Sequence, residues 1–265
     1  MTPVAAYNGT GNDDKKGRTL INAIEAHGLG KRYGRRWALS DCSLTIPAGQ
    51  VVGLVGPNGA GKTTLLHLAV GLAAPTSGTI RVLGARPAGG AAHLARVGFV
   101  AQDTPVYAGL SVAGHLRMGR ALNPGWDDGL ARRRMSQLGL DPGQRAGRLS
   151  GGQRAQLALT LAIAKAPDLL VLDEPVASLD PLARREFLEA VAEIAAARGI
   201  TVILSSHLVA DLERICGYLI VLTASRVRLA GSVAALLAAH APRQALDDLV
   251  IAAMREAPAA AGETP

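Results

Sequence analysis

The sequence predicts an α/β fold: a parallel sheet flanked by helices, with an inserted α-helical lobe. Three observations carry that prediction. Short aliphatic runs bounded by Gly, Asp or Pro recur at Val51–Val55, Leu169–Leu172 and Thr201–Ser205, the form taken by strands buried on both faces. Each is followed by a stretch of helical character, Lys62–Val70, Pro181–Ala197 and Leu208–Cys216, and strands alternating with helices close into a parallel sheet. Between Thr104 and Arg148 the strand-like runs stop, and Val112–Leu122 and Leu130–Leu138 read as helices separated by Asn123-Pro124-Gly125 and Asp141-Pro142-Gly143.

Taken in order, residues 1–22 are rich in Asn, Gly, Thr, Asp and Lys and read as a mobile extension. Ordered patterning starts at Ala23. A strand is expected over Val97–Ala101, ahead of the lobe, which is expected to extend over about 104–166 and to end with a helix over Arg154–Lys165. Asp180 stands where an N-cap belongs, with Pro181 at the first helical position. The tail, 231–265, reads as two helices, Ser232–His240 and Gln244–Glu256. The second sets Leu246, Leu249, Val250, Ala253 and Met254 on one face, and residues 258–265 are expected to fray.

Composition excludes several classes. Hydrophobic residues make up 49% of the 265-residue chain and charged residues 18%, which rules out a disordered or coiled-coil protein. Two Trp, four Tyr and two Phe are too few rings for a base-stacking platform. Cys42 and Cys216 form no metal or redox spacing and are expected as buried thiols in a reducing compartment. No apolar run approaches the roughly 18–20 residues that span a bilayer, and residues 1–24 carry no secretory signal, so an intracellular chain is expected. The net charge of +7 suits polyanionic partners without choosing among nucleotides, nucleic acid and an anionic membrane face.

The chemistry is concentrated in a few short motifs. After the Val51–Val55 strand come Gly56, Pro57, Asn58, Gly59, Ala60, Gly61, Lys62, Thr63 and Thr64, then a helix. This strand–loop–helix pattern curls backbone N–H groups around phosphate oxygens and adds the positive end of the helix. Lys62 would reach the β- and γ-phosphates, and Thr63 would ligate Mg²⁺. Leu169–Leu172 ends in Asp173-Glu174, two carboxylates on a hydrophobic strand, which costs desolvation unless cations or polar groups meet them. Asp173 suits Mg²⁺ through water and Glu174 suits activation of a water molecule; a strand ending in exposed acids is the plainer alternative. Leu149-Ser150-Gly151-Gly152-Gln153 opens a helix and could grip a second anion or serve as an ordinary capped turn. Arg132-Arg133-Arg134 reads as a solvated helix face, or as a contact for another protein's loops or lipid headgroups.

Together these residues resemble the ATP-binding subunit of ABC transporters. The phosphate loop matches the family's Walker A motif, Leu149–Gln153 its LSGGQ signature, and Leu169–Glu174 its Walker B motif with the catalytic glutamate. Ser178-Leu179-Asp180 matches the D-loop, His207 the switch histidine and Gln102 the Q-loop; Tyr33 sits where the family stacks an aromatic on adenine. The resemblance covers about residues 23–230, with every motif in family order. It implies a P-loop NTPase core with an antiparallel β subdomain and the helical lobe. It also implies ATP and Mg²⁺, the metal being served by Thr63, Gln102 and Asp173.

By the same resemblance, catalysis falls to Glu174 as base, His207 at the γ-phosphate and Gln102 as nucleotide sensor. Two copies would pair head-to-tail, with Ser150, Gly151, Gly152 and Gln153 acting on the nucleotide of the opposite copy and Ser178 and Asp180 at the interface. A separate integral-membrane permease is the implied partner, which puts the chain at the cytoplasmic face of the cell membrane. The stretch after His207 is too short for a large regulatory domain, and its acidic–aliphatic helix looks like the tail of type-2 exporter subunits, so export is the expected direction. A soluble ABC ATPase acting on nucleic acid or the ribosome is the alternative. It is disfavoured because relatives of that kind carry two nucleotide domains or long coiled coils, so no direct nucleic-acid contact is expected. The intact Glu174 argues against a module that hydrolyses little.

Overall fold

The aliphatic runs become the centre of a six-stranded sheet. In the computed structural model, which describes residues 22–103, 106–239 and 246–255, the chain opens with β1 (Asn22–Tyr33), β2 (Arg36–Pro47) and β3 (Val51–Val55), followed by α1 (Lys62–Val70). Next come β4 (Ser77–Val82), α2 (Ala91–Ala95) and β5 (Val97–Val100), then the lobe helices α3 (Val112–Leu122), α4 (Asp128–Gln137) and α5 (Gly151–Ala164). The core resumes with β6 (Leu169–Leu172), α6 (Pro181–Arg198), β7 (Thr201–Ser206) and α7 (Val209–Glu213). It closes with β8 (Tyr218–Thr223), β9 (Arg226–Ser232), α8 (Val233–Ala238) and α9 (Leu246–Arg255).

The main sheet runs β5-β6-β7-β3-β8-β9, parallel except for β9, which returns antiparallel to β8. A separate antiparallel sheet has the order β2-β1-β4. Alternation along each central strand sends side chains to two cores. Leu170 and Leu172 of β6 and Val202 and Leu204 of β7 face a cluster built with α5, α6, α7 and α9. Leu169, Val171 and Ile203 face the other cluster, which joins α1 to the antiparallel sheet. Each fully buried aliphatic side chain contributes about 1.5–3 kcal/mol, so continuous aliphatic runs are what a sheet covered on both faces demands.

Most of the expected elements appear where the sequence puts them, with differences that have local causes. The strand expected over Val97–Ala101 stops at Val100. The segment expected as a helix over Leu208–Cys216 is helical only over Val209–Glu213, because the chain turns at Arg214–Ile215 to enter β8. The lobe's second helix starts at Asp128 rather than Leu130, since the Asp127 side chain accepts a hydrogen bond from the Leu130 N–H and caps it. The third starts at Gly151 rather than Arg154, with Ser150 as its cap. The first tail helix follows Ser232, whose side chain accepts from the Ala235 N–H, while β9 runs through the tail's expected first two residues. Leu246, Leu249 and Val250 of α9 are buried in the core, with Ala253 and Met254 packed beside them, which is the face the sequence picked out. The expected N-terminal extension lies outside the described residues except for Asn22, which opens β1; the expected fraying over 258–265 also lies outside them.

The arginine run is not a uniformly solvated face. Arg132 pairs with Asp128 at 2.8 Å on the surface, but Arg134 turns inward and donates to Gln156 and Thr160 of α5 at 2.9 and 3.2 Å. Burial lowers its pKa. Arg134 therefore ties α4 to α5 instead of waiting for a partner. Both cysteines are buried and free, as expected; burial pushes the Cys216 thiol up to about 12 and raises that of Cys42.

Candidate functional site

The parallel register aligns the C-terminal ends of four strands. Val100 pairs with Leu172, Leu172 with Leu204, and Val55 with Ser206, so the loops leaving β5, β6, β7 and β3 emerge side by side. Ligands of open α/β sheets bind at that edge. A cleft of about 670 Å³ opens there. Its floor is the phosphate loop, through Asn58, Gly59, Gly61, Lys62, Thr63 and Thr64. Its walls come from Tyr33 and Arg36 at the β1–β2 hairpin, Ala38, and Gln102, Glu174 and His207.

The loop's shape explains its composition. A Cβ at Gly56 would collide with the carbonyl of Leu222, and one at Gly61, whose φ is 107°, with the carbonyl of Ala38. Pro57 and Ala60 close the turn through an Ala60 N–H to Pro57 carbonyl bond of 3.1 Å. Gly61 caps α1 with no side chain, which leaves the first-turn N–H groups available to an anion. Lys62 is buried, only 5% exposed; its ammonium donates to the Gly56 carbonyl at 2.8 Å and lies 3.2 Å from Glu174 Oε1. The other oxygen of Glu174 lies 3.4 Å from His207 Nδ1. One carboxylate thus sits between a buried lysine and a half-exposed histidine.

Asp173 is buried and accepts a hydrogen bond from the Ser205 hydroxyl at 2.7 Å; Ser205 Oγ in turn accepts the Glu174 N–H, also at 2.7 Å. Thr63 at the start of α1 and Gln102 just after β5 are exposed and line the cleft, whereas the buried Asp173 does not line it. Among the described residues no cluster of three or more His, Cys, Asp or Glu could hold a metal on its own. A lone carboxylate with a hydroxyl and an amide oxygen is a hard donor set of the kind Mg²⁺ takes when phosphates complete its shell. The residues present therefore fit that ion.

The predicted residues fall into two groups. Tyr33, the phosphate loop, Gln102, Glu174 and His207 converge on the cleft. Ser150, Gly151, Gly152 and Gln153 do not line it. Ser150 and Gln153 form a reciprocal cap at the start of α5, with bonds of 3.1 and 2.9 Å. A Cβ added there at Gly152 would lie 3.1 Å from Ala183 Cβ, and one at Gly151 4.0 Å from the Ser178 carbonyl oxygen, so the serine loop neighbours the 178–180 segment. Asp180 caps α6, accepting from the Leu182 and Ala183 N–H groups at 3.0 Å. Sequence reasoning overlooked Arg36, which stands opposite Tyr33 across the hairpin, and Ser205, read only as the end of a strand. The available signal was Ser205-Ser206 ahead of His207, two hydroxyls closing an aliphatic run.

A family model described as ABC transporter matches residues 39–177, just over half of the chain. The chain belongs to the ABC transporter family. It is an ABC-type ATPase, an ATP-binding and ATP-hydrolysing subunit coupled to a membrane permease. The Nod factor export ATP-binding protein I of Rhizobium johnstonii is 37% identical over 223 residues, 81% of this chain and 70% of that protein. An Fe(3+) ions import ATP-binding protein of Rhodococcus jostii is 35% identical over 222 residues, 80% of this chain and 63% of that protein. A solved ATP binding subunit of an ABC transporter superposes with a TM-score of 0.77 at 28% identity, covering 89% of this chain and 99% of that one. A nucleotide-free ATP-binding cassette, at 22% identity and TM-score 0.70, shares the fold. Among the described residues of this ABC ATPase no helix is long and apolar enough to cross a membrane.

Proposed function

We propose that this ABC ATPase powers export through a separate membrane permease, working as a head-to-tail pair of identical chains on its cytoplasmic face. The observation that carries the reading is the single cleft in which Tyr33, the phosphate loop, Gln102, Glu174 and His207 meet from distant parts of the chain. Tyr33 offers a ring to adenine. The loop N–H groups and Lys62 take the β- and γ-phosphates, and phosphate oxygens draw the ammonium away from Glu174. Freed of that pair, the Glu174 carboxylate accepts the proton of the attacking water, while His207 holds its position beside the γ-phosphate. Thr63, Gln102 and Asp173 would hold Mg²⁺, which when bound neutralises charge developing on the phosphates. The 150–153 loop and the 178–180 segment adjoin each other outside the cleft, which supports their use by a second copy. Export is supported by the short tail helix folded onto the core and by the exporter relatives, although importer subunits match at similar identity.

Glu174→Gln keeps the shape of the site and removes its proton acceptor. Turnover should fall by roughly 100-fold or more while ATP still binds; near-normal hydrolysis would overturn the assignment. Co-purification from native membranes tests the wider reading. A permease chain should accompany the protein, and recovery with ribosomes or nucleic acid instead would favour the soluble alternative.

A further inference from the structure

Glu174 holds its place at some cost. Its φ is 43°, in the left-handed region that L-residues with side chains avoid, yet it carries the carboxylate that meets both Lys62 and His207. The neighbouring backbone is pinned on both sides. The Asp173 N–H donates to the Val100 carbonyl of β5 at 2.9 Å, and the Glu174 N–H donates to Ser205 Oγ at the end of β7. Two consecutive amides are thus held by the strands on opposite sides of β6, which turns the chain sharply after the strand.

Ser205 is fully buried, with 0% exposure. A fully buried hydroxyl in a central strand is tolerated only where its donor and acceptor capacity is used. Here both are used on the same dipeptide: the oxygen accepts from the Glu174 amide, and the hydrogen goes to the Asp173 carboxylate. The amide fixes that directionality: its N–H can only donate, so the hydroxyl oxygen accepts there and the hydroxyl hydrogen is left for the carboxylate oxygen. We propose that Ser205 is the positioning residue of this ATPase, holding Glu174 in its left-handed conformation and Asp173 in its orientation through one hydroxyl. The proposal rests on the reading of Glu174 as the base.

Ser205→Ala leaves the Glu174 amide and one Asp173 oxygen without their partner, and the backbone relaxes away from the left-handed region. The carboxylate then leaves its position in the cleft, while Tyr33 and the phosphate loop stay in place. A misplacement of about 1 Å costs up to about 100-fold in rate. In this chain, Ser205→Ala should lower kcat about tenfold or more, with affinity for a non-hydrolysable ATP analogue, measured without Mg²⁺, within about twofold of the parent. Ser205→Thr, which keeps the hydroxyl and suits a strand, should restore most of the rate. Hydrogen exchange at the Glu174 amide should speed up in the alanine variant alone.

A kcat for Ser205→Ala within twofold of the parent overturns the proposal. So does a loss in which nucleotide affinity falls in step with kcat, or one that Ser205→Thr fails to restore. Glu174→Gln assayed in parallel separates the two readings: retained turnover there sinks the base assignment, whereas lost turnover there with unaffected Ser205→Ala sinks the anchor alone. In the double variant, Ser205→Ala should add little to Glu174→Gln, since both act through one group.

Discussion

Tyr33 stands half-exposed at the mouth of the cleft, with the Lys31 ammonium 5.1 Å from the centre of its ring. A ring backed by a cation and open to a cleft makes a stacking surface, and base–aromatic stacking contributes about 1–3 kcal/mol. Tyr33→Ala should therefore weaken ATP binding by about tenfold or more and narrow the preference for ATP over GTP. Tyr33→Trp should retain both. Titration of the two variants with each triphosphate decides the matter, and unchanged affinity and selectivity in Tyr33→Ala would make Tyr33 a packing residue. Which residues were legible at this scale follows from how they are encoded. Lys62 and Glu174 announce themselves because their motifs are contiguous: neighbours in sequence are neighbours in the site. Arg36 belongs to a strand whose register brings it to the cleft, and Ser205 to one whose register sets it, buried, against Asp173 and Glu174; register is a property of two strands that neither strand states alone.

Among the elements, α4 shows how the lobe is fastened to the core. Asp127 caps it through the Leu130 N–H and reaches Arg198, at the end of α6, at 2.6 Å. The amide bond first and the guanidinium second hold the Asp127 carboxyl below its ordinary range. A carboxylate whose pKa is depressed on folding stabilises the fold above its unfolded pKa, and that contribution is lost as the pH falls through the depressed value. Asp127→Ala should cost about 1 kcal/mol at neutral pH, and its difference from the parent in urea denaturation should shrink as the pH falls below about 4. A difference that holds constant down the acid range would assign the effect to packing. The elements themselves divide by legibility for a related reason. The buried strands β3 and β6 and the helices α1 and α3 match the sequence reading residue for residue, because both faces of a central strand, and caps or glycines at a helix end, leave direct marks. The antiparallel sheet was anticipated only from family resemblance. β1 pairs with β2 through several register shifts, which break the alternation that would otherwise reveal a half-buried strand.

On the scale of the whole molecule, the cleft gathers every expected nucleotide-contacting motif except the serine loop at the start of α5. In the proposed pair, Ser150→Arg damages the loop offered to the other copy, and Lys62→Ala damages the phosphate loop. Neither variant alone should dimerise with ATP. Mixed, they leave one intact composite site, so ATP-dependent association should partly return in size-exclusion chromatography. No recovery at any mixing ratio would sink the trans arrangement. If the proposed pair forms, that separation of the serine loop from the cleft would also set the kinetic order of the enzyme. Two chains would have to meet to make one working site, so at low concentration the competent species would grow with the square of the amount of chain. A permease that seats two copies side by side replaces that free concentration with a local one, about millimolar for short tethers. Unassembled chains would then idle, and ATP consumption would report how many permeases are fully occupied.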